Sequence, residues 1–264
     1  MKVKIAAVQM DVKTGHIDQN LKKAEQFVAS AAKFKPNFLA FPEMFATGFA
    51  FDELKMYAQK YKAAFDSFFK MSAKKTGAYI IGGSVPEVEA DKLYNTCFIY
   101  SPEGKEIAKY RKVHPFPQTG EDAYFEHGKS ILVLKTKFGV ISVALCYDLR
   151  FPELIRAKTL KGAEIIFVPA QFPKPRSDHW EIILRARAIE NQIFVVGVNR
   201  IGGQKLKHFG KSMVINPNGK IMDMLEEEEG VLFSEIDLDE IAKVRDFMPH
   251  LKHRKPEVYK GLYA

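Results

Sequence analysis

Residues 144–154, ALCYDLRFPEL, join an apolar run to a segment that begins with proline. Pro152 is suited to the first position of a helix, because its ring fixes φ and its missing N–H would have no partner there. The chain must therefore turn sharply between a strand ending at Cys146 and this helix. A side chain at such a corner can be lifted clear of the sheet, beside backbone N–H groups. Cys146 is either a nucleophile or, like most free cysteines, a small buried side chain.

Apolar periodicity on both sides of this corner predicts alternating strands and helices. The predicted strands are 2–10, 38–41, 78–85, 94–101, 106–111, 131–136, 140–146, 165–169, 194–199, 211–215 and 220–225, and the predicted helices are 20–33, 53–75, 152–160 and 177–191. The turn SPEGKEI, from Ser101, has a near copy in NPNGKI, from Asn216. This repeat suggests two halves of similar layout, each a sheet with helices on one face, packed sheet against sheet. A chance resemblance between two common turns is the alternative.

The composition is that of a chain able to bury a large core. Of its 264 residues 47% are hydrophobic, and no linker-like segment divides them, which favours one α/β domain over 1–264. The N-terminus alternates like a strand and lacks a signal peptide's apolar segment, and no apolar run approaches a membrane span. We therefore expect a cytoplasmic protein without membrane contact. Two cysteines make no disulfide framework, so both are expected to be free thiols. Cys97, inside a predicted strand, is expected to pack in the core.

The formal net charge of +8 raises the question of nucleic-acid binding, since clustered Lys and Arg displace phosphate counterions. The lysines are scattered along the chain, however, and the densest basic run, at 250–255, carries no nucleic-acid motif. We therefore expect no nucleic-acid partner. No histidine pair has metal-ligand spacing, so neither a metal nor another cofactor is predicted. His114 and His179 are the histidines that could serve Cys146 as a base.

Two further strand ends carry ionisable side chains. In NFLAFPEMF, Glu43 follows a buried strand amid apolar neighbours, and such surroundings raise a carboxyl pKa towards the range useful for proton transfer. In YRKVHPFPQTGEDAYFEHG, Lys112 ends a strand and precedes a loop with Glu121 and Glu126. Taken alone, Lys112 has the pattern of an exposed lysine, and both loop glutamates have the pattern of solvated carboxylates.

Together, FPEMF, YRKVH and CYDLRFPEL resemble the signature of the nitrilase superfamily of carbon–nitrogen hydrolases, which is a Glu, a Lys and a Cys at three separate strand ends. The resemblance runs from KIAAVQMD to RKPEVY and includes HWEIILRARAIENQIFVVGVNR. It implies a four-layer α-β-β-α sandwich and a homodimer. RARAIENQ and the tail 246–264 would lie at or near the subunit interface.

The same resemblance implies catalytic roles. Glu43 would take the proton from Cys146, and the thiolate would attack an amide carbonyl carbon. Lys112 and the backbone N–H of Tyr147 would stabilise the oxyanion. Glu121 would support the lysine and help to position the substrate.

Three further residues complete these expectations. Glu126 is the alternative to Glu121 as the supporting glutamate. Asp148 and Arg150, which directly follow the nucleophile, are expected to hold the corner by hydrogen bonds rather than to touch the substrate.

Within the superfamily, these motifs are most similar to the omega-amidase branch, which implies a small dicarboxylic acid monoamide such as 2-oxoglutaramate or 2-oxosuccinamate as substrate. The loop AQFPKPRSDHW offers Lys174 and Arg176 for the distant carboxylate, although a solvated basic loop would have the same composition. Nitrile and N-carbamoyl amino acid hydrolysis on the same fold are alternatives. Outside this class stand a Cys-His hydrolase and a basic nucleic-acid-binding module without catalysis.

Overall fold

Two β-sheets packed face to face form the centre of the computed structural model, which describes residues 1–203, 206–259 and 261. In chain order the strands are β1 (Lys2–Gln9), β2 (Phe38–Ala40), β3 (Tyr79–Ile81), β4 (Val85–Glu89), β5 (Lys92–Tyr100), β6 (Glu106–Arg111), β7 (Leu134–Thr136), β8 (Gly139–Val143), β9 (Ile165–Ala170), β10 (Phe194–Asn199), β11 (Ile201–Gly202), β12 (His208–Phe209), β13 (Met213–Ile215), β14 (Ile221–Met224) and β15 (Gly230–Asp237).

Eight helices accompany these strands among the described residues. They are α1 (Ile17–Phe34), α2 (Leu54–Lys60), α3 (Lys62–Thr76), α4 (Glu121–Tyr124), α5 (Pro152–Leu160), α6 (Ser177–Asn191), α7 (Asp239–Phe247) and α8 (Pro256–Tyr259). Short 3-10 turns lie at Phe51–Glu53, Pro117–Thr119, Cys146–Arg150 and Lys174–Arg176. In the part of the chain described, no helix is long and apolar enough to cross a membrane.

The two sheets repeat one layout. The first has the order β15-β1-β2-β3-β5-β4 with β6 beside β5, and the second has the order β14-β13-β10-β9-β8-β7. Each contains three parallel strands, then an antiparallel strand that opens a hairpin. In the two hairpin turns, the N–H groups of Ser101 and Asn216 donate to the carbonyl four residues later, at 2.8 and 3.0 Å. Gly104 and Gly219 share a φ of 78°, which suits glycine. The predicted two-half layout is confirmed.

Three hydrophobic cores separate four layers. In β1, Ile5 and Ala7 belong to the core between the sheets, whereas Ala6 and Val8 belong to the core under α1 and α3. A third core joins the second sheet to α5 and α6. Alternate side chains of one strand thus serve two cores, as the period of two in a strand requires. The α-β-β-α sandwich expected from the sequence is confirmed.

Several predicted boundaries are wrong. The helix predicted at 53–75 is interrupted at Tyr61, where the backbone leaves helical geometry without a proline or glycine to mark the break. The strand predicted at 78–85 is divided into β3 and β4 by two glycines. Gly83 has a φ of 58°, and a Cβ there would lie 2.1 Å from the Pro42 carbonyl oxygen, so only glycine fits. This close approach fixes the loop that carries Glu43.

One long strand at the edge of the first sheet, β15, was not predicted from the sequence. This strand pairs with β1 along its whole length, from Lys2 opposite Asp237 to Gln9 opposite Gly230. It follows an acidic run, and only part of it alternates clearly, with Leu232, Ser234 and Ile236 buried. The final strand therefore returns to the first sheet and closes the fold beside the N-terminus. β11, β12, α4, α7 and α8 were not predicted either.

The strand before the Cys146 corner ends earlier than predicted. β8 stops at Val143, and Cys146 begins a 3-10 turn instead of ending the strand. Because β8, β9 and β10 are parallel, their C-terminal ends lie at one edge of the second sheet, and β2 and β3 end together in the first. β6 runs in the same direction as β3, since both are antiparallel to β5. The residues that follow these strands therefore lie at one end of each sheet, and the two ends meet at the candidate site.

Candidate active site

Cys146 occupies an unusual backbone conformation at the start of the turn Cys146–Arg150. Its φ of 43° lies in the left-handed region, which non-glycine residues seldom adopt and which is concentrated at functional sites. The N–H of Tyr147 belongs to the first turn of this short helix, where N–H groups have no partner within the helix itself. The corner thus combines a thiol with adjacent backbone donors, as a nucleophile corner does.

Asp148 holds this corner from inside the protein. It is completely buried, and it accepts hydrogen bonds from the backbone N–H of Leu145 at 3.0 Å and the hydroxyl of Tyr110 at 2.6 Å. His114 adds its backbone N–H at 2.9 Å, and its Nδ1 lies 2.8 Å from the same carboxylate. Burial alone would raise the pKa of Asp148, but the hydrogen bond from His114 and the charge of Lys158 lower it below its usual value. The predicted role of Asp148 in the corner is confirmed.

Glu43 is also completely buried, where an isolated carboxylate would be costly. Its Oε1 accepts hydrogen bonds from Lys112 Nζ at 2.8 Å and Asn95 Nδ2 at 3.0 Å. Its Oε2 accepts one from the backbone N–H of Gln171 at 3.1 Å. The prediction of apolar surroundings is therefore wrong at the carboxylate, which lies in an ion pair and a hydrogen-bond network.

Lys112 links two carboxylates. Its side chain is 1% exposed, and Nζ lies 2.8 Å from Glu43 and 2.7 Å from Glu121. Burial alone would lower the pKa of Lys112, but the charges of Glu121 and Glu43 outweigh burial and raise it, so the ammonium stays charged. Burial raises the pKa of Glu121 to about 7, against the opposing charge of Lys112. The Glu121 carboxylate also accepts the backbone N–H of Phe116 at 3.2 Å.

The Cys146 thiol lies beside this cluster. Burial first, and then the negative charge of Glu43, raise the pKa of Cys146 well above its usual value, while Lys112 opposes the rise. The backbone N–H of Gln171 faces the sulfur and also donates to Glu43, so thiol and carboxylate share a neighbour. The resting site therefore holds a protonated thiol that needs a nearby base to become a nucleophile.

Three polar side chains that support the site were not predicted. Besides Asn95, these are Gln171, whose Nε2 donates to the Glu43 carbonyl at 2.9 Å, and Arg200, whose Nη1 donates to Gln171 Oε1 at 3.0 Å. Arg200 is itself held by Asp11 at 2.9 Å. Gln171 and Arg200 directly follow β9 and β10. Inspection of the residue after every parallel strand would have found both.

The two predicted substrate-binding residues differ in their surroundings. Arg176 is half-buried, and its guanidinium carbon lies 5.3 Å from the centre of the Phe116 ring. Phe116 is the residue whose N–H binds Glu121, so Arg176 lies close to the buried cluster. Lys174 is exposed and forms an ion pair with Glu227 at 3.0 Å.

The alternative residues lie outside the cluster. Glu126 pairs with Lys92 at 3.1 Å, whereas Glu121 contacts Lys112. Arg150 contacts His179 Nδ1 at 3.3 Å and lies over the Phe172 ring, rather than bonding within the corner as expected. Over residues 1–203, 206–259 and 261, no group of His, Cys, Asp and Glu side chains is arranged to hold a metal ion.

The geometry of this site agrees with a known enzyme class. The model of the carbon–nitrogen hydrolase family matches residues 4–246, and the chain belongs to that family. It is thus a hydrolase of carbon–nitrogen bonds.

Individual relatives are similar along almost the whole chain. The 2-oxoglutaramate amidase of Bacillus subtilis (strain 168) is 38% identical over 98% of this chain and 100% of its own. An omega-amidase of Danio rerio is 32% identical over 98% of this chain and 96% of its own. A crystal structure of a Saccharomyces cerevisiae protein from branch 10 of the nitrilase superfamily superimposes with a TM-score of 0.88 at 30% identity, over 94% of each chain.

Replacing Glu121 by Gln should change how stability depends on pH. A carboxyl whose pKa rises from 4.5 to about 7 on folding contributes stability that is present below pH 4.5 and lost as pH rises through 7. Between pH 5 and 8, the wild type should lose roughly 2 to 3 kcal/mol of unfolding free energy relative to Glu121→Gln. Urea unfolding at both pH values measures this difference. Glu126→Gln is the matched control, and a pH-independent gap for Glu121→Gln would contradict the account.

Proposed function

We propose that this hydrolase releases ammonia from the terminal amide of small dicarboxylic acid monoamides, such as 2-oxoglutaramate or 2-oxosuccinamate, through a thioester on Cys146. The observation that carries the proposal is the buried contact of Glu43 and Lys112 beside the Cys146 thiol. The names of the relatives, 2-oxoglutaramate amidase and omega-amidase, support the substrate class.

In the first half of the reaction, Glu43 takes the thiol proton and the Cys146 thiolate attacks the amide carbonyl carbon. Proton transfer neutralises Glu43, so part of the Lys112 charge is released from its ion pair when the oxyanion forms. Lys112 and the N–H of Tyr147 then stabilise that oxyanion, and such preorganised donors lower a barrier by about 3 to 4 kcal/mol each. This interaction is stronger in the transition state than in the resting site, which is the requirement for catalysis.

The remaining steps complete the acylation, hydrolyse the thioester and return every group to its starting state. Glu43 gives its proton to the leaving nitrogen, ammonia departs, and the acyl group remains on the sulfur as a thioester. Glu43 then takes a proton from water, whose oxygen attacks the thioester carbonyl. The second tetrahedral intermediate collapses, the acid leaves, and the proton on Glu43 restores the Cys146 thiol. Glu121 keeps Lys112 in place throughout.

We assign the distant carboxylate of the substrate to Arg176. The support is its position over the ring of Phe116, the residue whose backbone N–H donates to Glu121. A guanidinium can bind a carboxylate through two parallel hydrogen bonds. Lys174 is the weaker candidate, since its ammonium already pairs with Glu227.

The alternatives receive less support. Nitrile and N-carbamoyl amino acid hydrolysis would use the same thioester and the same residues, so only the substrate separates them. A Cys-His hydrolase is disfavoured because His114 is bonded to Asp148 and stacked on Phe151 at 3.6 Å, while His179 contacts Arg150. The hypothesis of a nucleic-acid-binding module without catalysis is disfavoured because the chain belongs to a hydrolase family.

Ammonia release should be fastest with the monoamides of dicarboxylic acids and should depend on Cys146. Purified protein is tested on a panel of monoamides, nitriles and carbamoyl amino acids. Cys146→Ala should abolish turnover, whereas the control Cys97→Ala should retain it, since Cys97 is buried inside β5. Faster hydrolysis of nitriles or carbamoyl compounds, or an active Cys146→Ala variant, would contradict the proposal.

Arg176→Ala should impair monoamides of dicarboxylic acids and spare uncharged short amides. A charge-assisted hydrogen-bonded pair is worth roughly 1.5 to 3 kcal/mol, so kcat/KM for charged substrates should fall about ten- to two-hundred-fold. Lys174→Ala is the matched control and should change neither class by more than about two-fold. An equal loss for charged and neutral amides would mean that Arg176 supports the loop instead.

We also propose a homodimer built from one-domain subunits that span 1–264, working in the cytoplasm, where reducing conditions keep thiols free. Large apolar side chains exposed on α5, on α6 and at the end of α7 support the dimer, and they are Leu160, Ile182, Ile189, Phe247 and Met248. Ile189 lies within RARAIENQ (185–192), and Phe247 and Met248 lie within the tail predicted at 246–264. Residues 260 and 262–264 of that tail lie outside the described residues. Sedimentation equilibrium tests the dimer, and a species with the mass of one chain would contradict it.

A further inference from the structure

A second buried ammonium lies near the nucleophile corner, outside the cluster of Glu43, Lys112 and Glu121. Lys158, on α5, is completely buried. Its Nζ donates a hydrogen bond to the carbonyl of Val143, the last residue of β8, and lies 4.1 Å from the centre of the Tyr110 ring on β6. The ammonium therefore joins the two sheets where the chain leaves β8 for the Cys146 corner.

Lys158 acts on the corner through Asp148. The Tyr110 hydroxyl donates to Asp148 at 2.6 Å, and an ammonium over the ring withdraws electron density from the phenol and strengthens that donor. The charge of Lys158 also lowers the pKa of Asp148 directly. Asp148 in turn holds the Leu145 N–H, one residue before the nucleophile. A positive charge at Lys158 thus balances the buried negative charge that fixes the corner.

We propose that Lys158 is a positioning residue for the hydrolysis, whose buried ammonium balances Asp148 and thereby keeps the Cys146–Tyr147 corner in its reactive conformation. The proposal rests on the proposed catalytic roles of Cys146 and Tyr147. Lys158 itself contacts neither the thiol nor the cluster around Lys112. Its loss should therefore lower kcat and leave KM almost unchanged.

The charge of Lys158 is sensitive to pH. Burial lowers the pKa of Lys158 to about 8, while the charges of Asp148 and Cys97 oppose that shift. Tyr110, the third titratable group facing it, has a pKa raised by burial and stays neutral. Above pH 8 the ammonium loses its proton, and Asp148 is left without its counter-charge. The rate should therefore fall with a midpoint near pH 8.

Stability should change in the opposite direction over the same range. A lysine whose pKa falls from 10.5 to about 8 on folding binds more protons in the unfolded chain between those values. This group therefore adds to stability as pH rises through that window. A rate that falls above pH 8 while the melting temperature holds is the signature of a positioning charge rather than of unfolding.

The experiment compares wild type with Lys158→Met, and uses Lys161→Met, at the exposed end of the same helix, as the control. Steady-state kinetics from pH 6.5 to 9.5 should show that Lys158→Met has lost the fall near pH 8. At pH 7 the kcat of Lys158→Met should be about ten- to a hundred-fold below the wild-type kcat, and should match the wild-type kcat measured at pH 9.5. Its KM should stay within about two-fold of the wild-type KM. Lys161→Met should superimpose on wild type.

A structural readout separates this proposal from the proposed reaction. Hydrogen–deuterium exchange in peptides that cover 144–151, corrected for intrinsic exchange, should lose protection in wild type as pH passes 8, and at every pH in Lys158→Met. If no amide is hydrolysed, the proposed function fails while this exchange test still decides the role of Lys158. A wild-type pH profile or unchanged protection in Lys158→Met would overturn the proposal. If Lys158→Met does not fold, the same two measurements are made on Lys158→Gln. The exchange of 144–151 in wild type across pH 8 then also tests the role of Lys158.

Discussion

The ion pair between Lys112 and the carboxylates of Glu43 and Glu121 is the interaction around which the rest of the structure is arranged. All three side chains are buried, and buried charges are tolerated only when their partners are held at short distance. Removing Lys112 would leave two buried carboxyl groups without their counter-charge. The surrounding sheets must therefore hold the side chains of residues 43, 112 and 121 at hydrogen-bonding distance from one another.

The repeated two-sheet layout meets this requirement. Each half places three parallel strands side by side, so the residues that follow them emerge at one edge of each sheet. Glu43 follows β2, Lys112 follows β6, and Cys146 follows β8 after a short extension. Gln171, which follows β9, bonds to Glu43 across the junction of the sheets. The inter-sheet core thus positions the proposed catalytic groups as well as stabilising the fold.

The sequence predicted the order of the elements and the main members of the cluster because strand-end residues leave clear local patterns. Glu43 and Cys146 follow apolar runs, Lys112 ends a predicted strand, and the superfamily motifs mark the three together. What it could not predict depends on contacts between distant segments. β15 is defined by its pairing with β1, more than two hundred residues away in the chain, and Arg200 reaches Gln171 only after folding. Asp148 likewise holds the corner together with Tyr110 and His114, which lie more than thirty residues earlier in the chain.

The central claim is that Cys146 carries the acyl group of the substrate as a thioester. Rapid acid quenching of the enzyme during turnover of 2-oxoglutaramate, followed by intact-protein and peptide mass spectrometry, tests this claim directly. The account predicts a mass increase equal to the acyl group, located on Cys146 and removed by hydroxylamine, because a thioester is labile to that nucleophile. No adduct during active turnover, or an adduct on Cys97 or on a histidine, would contradict it.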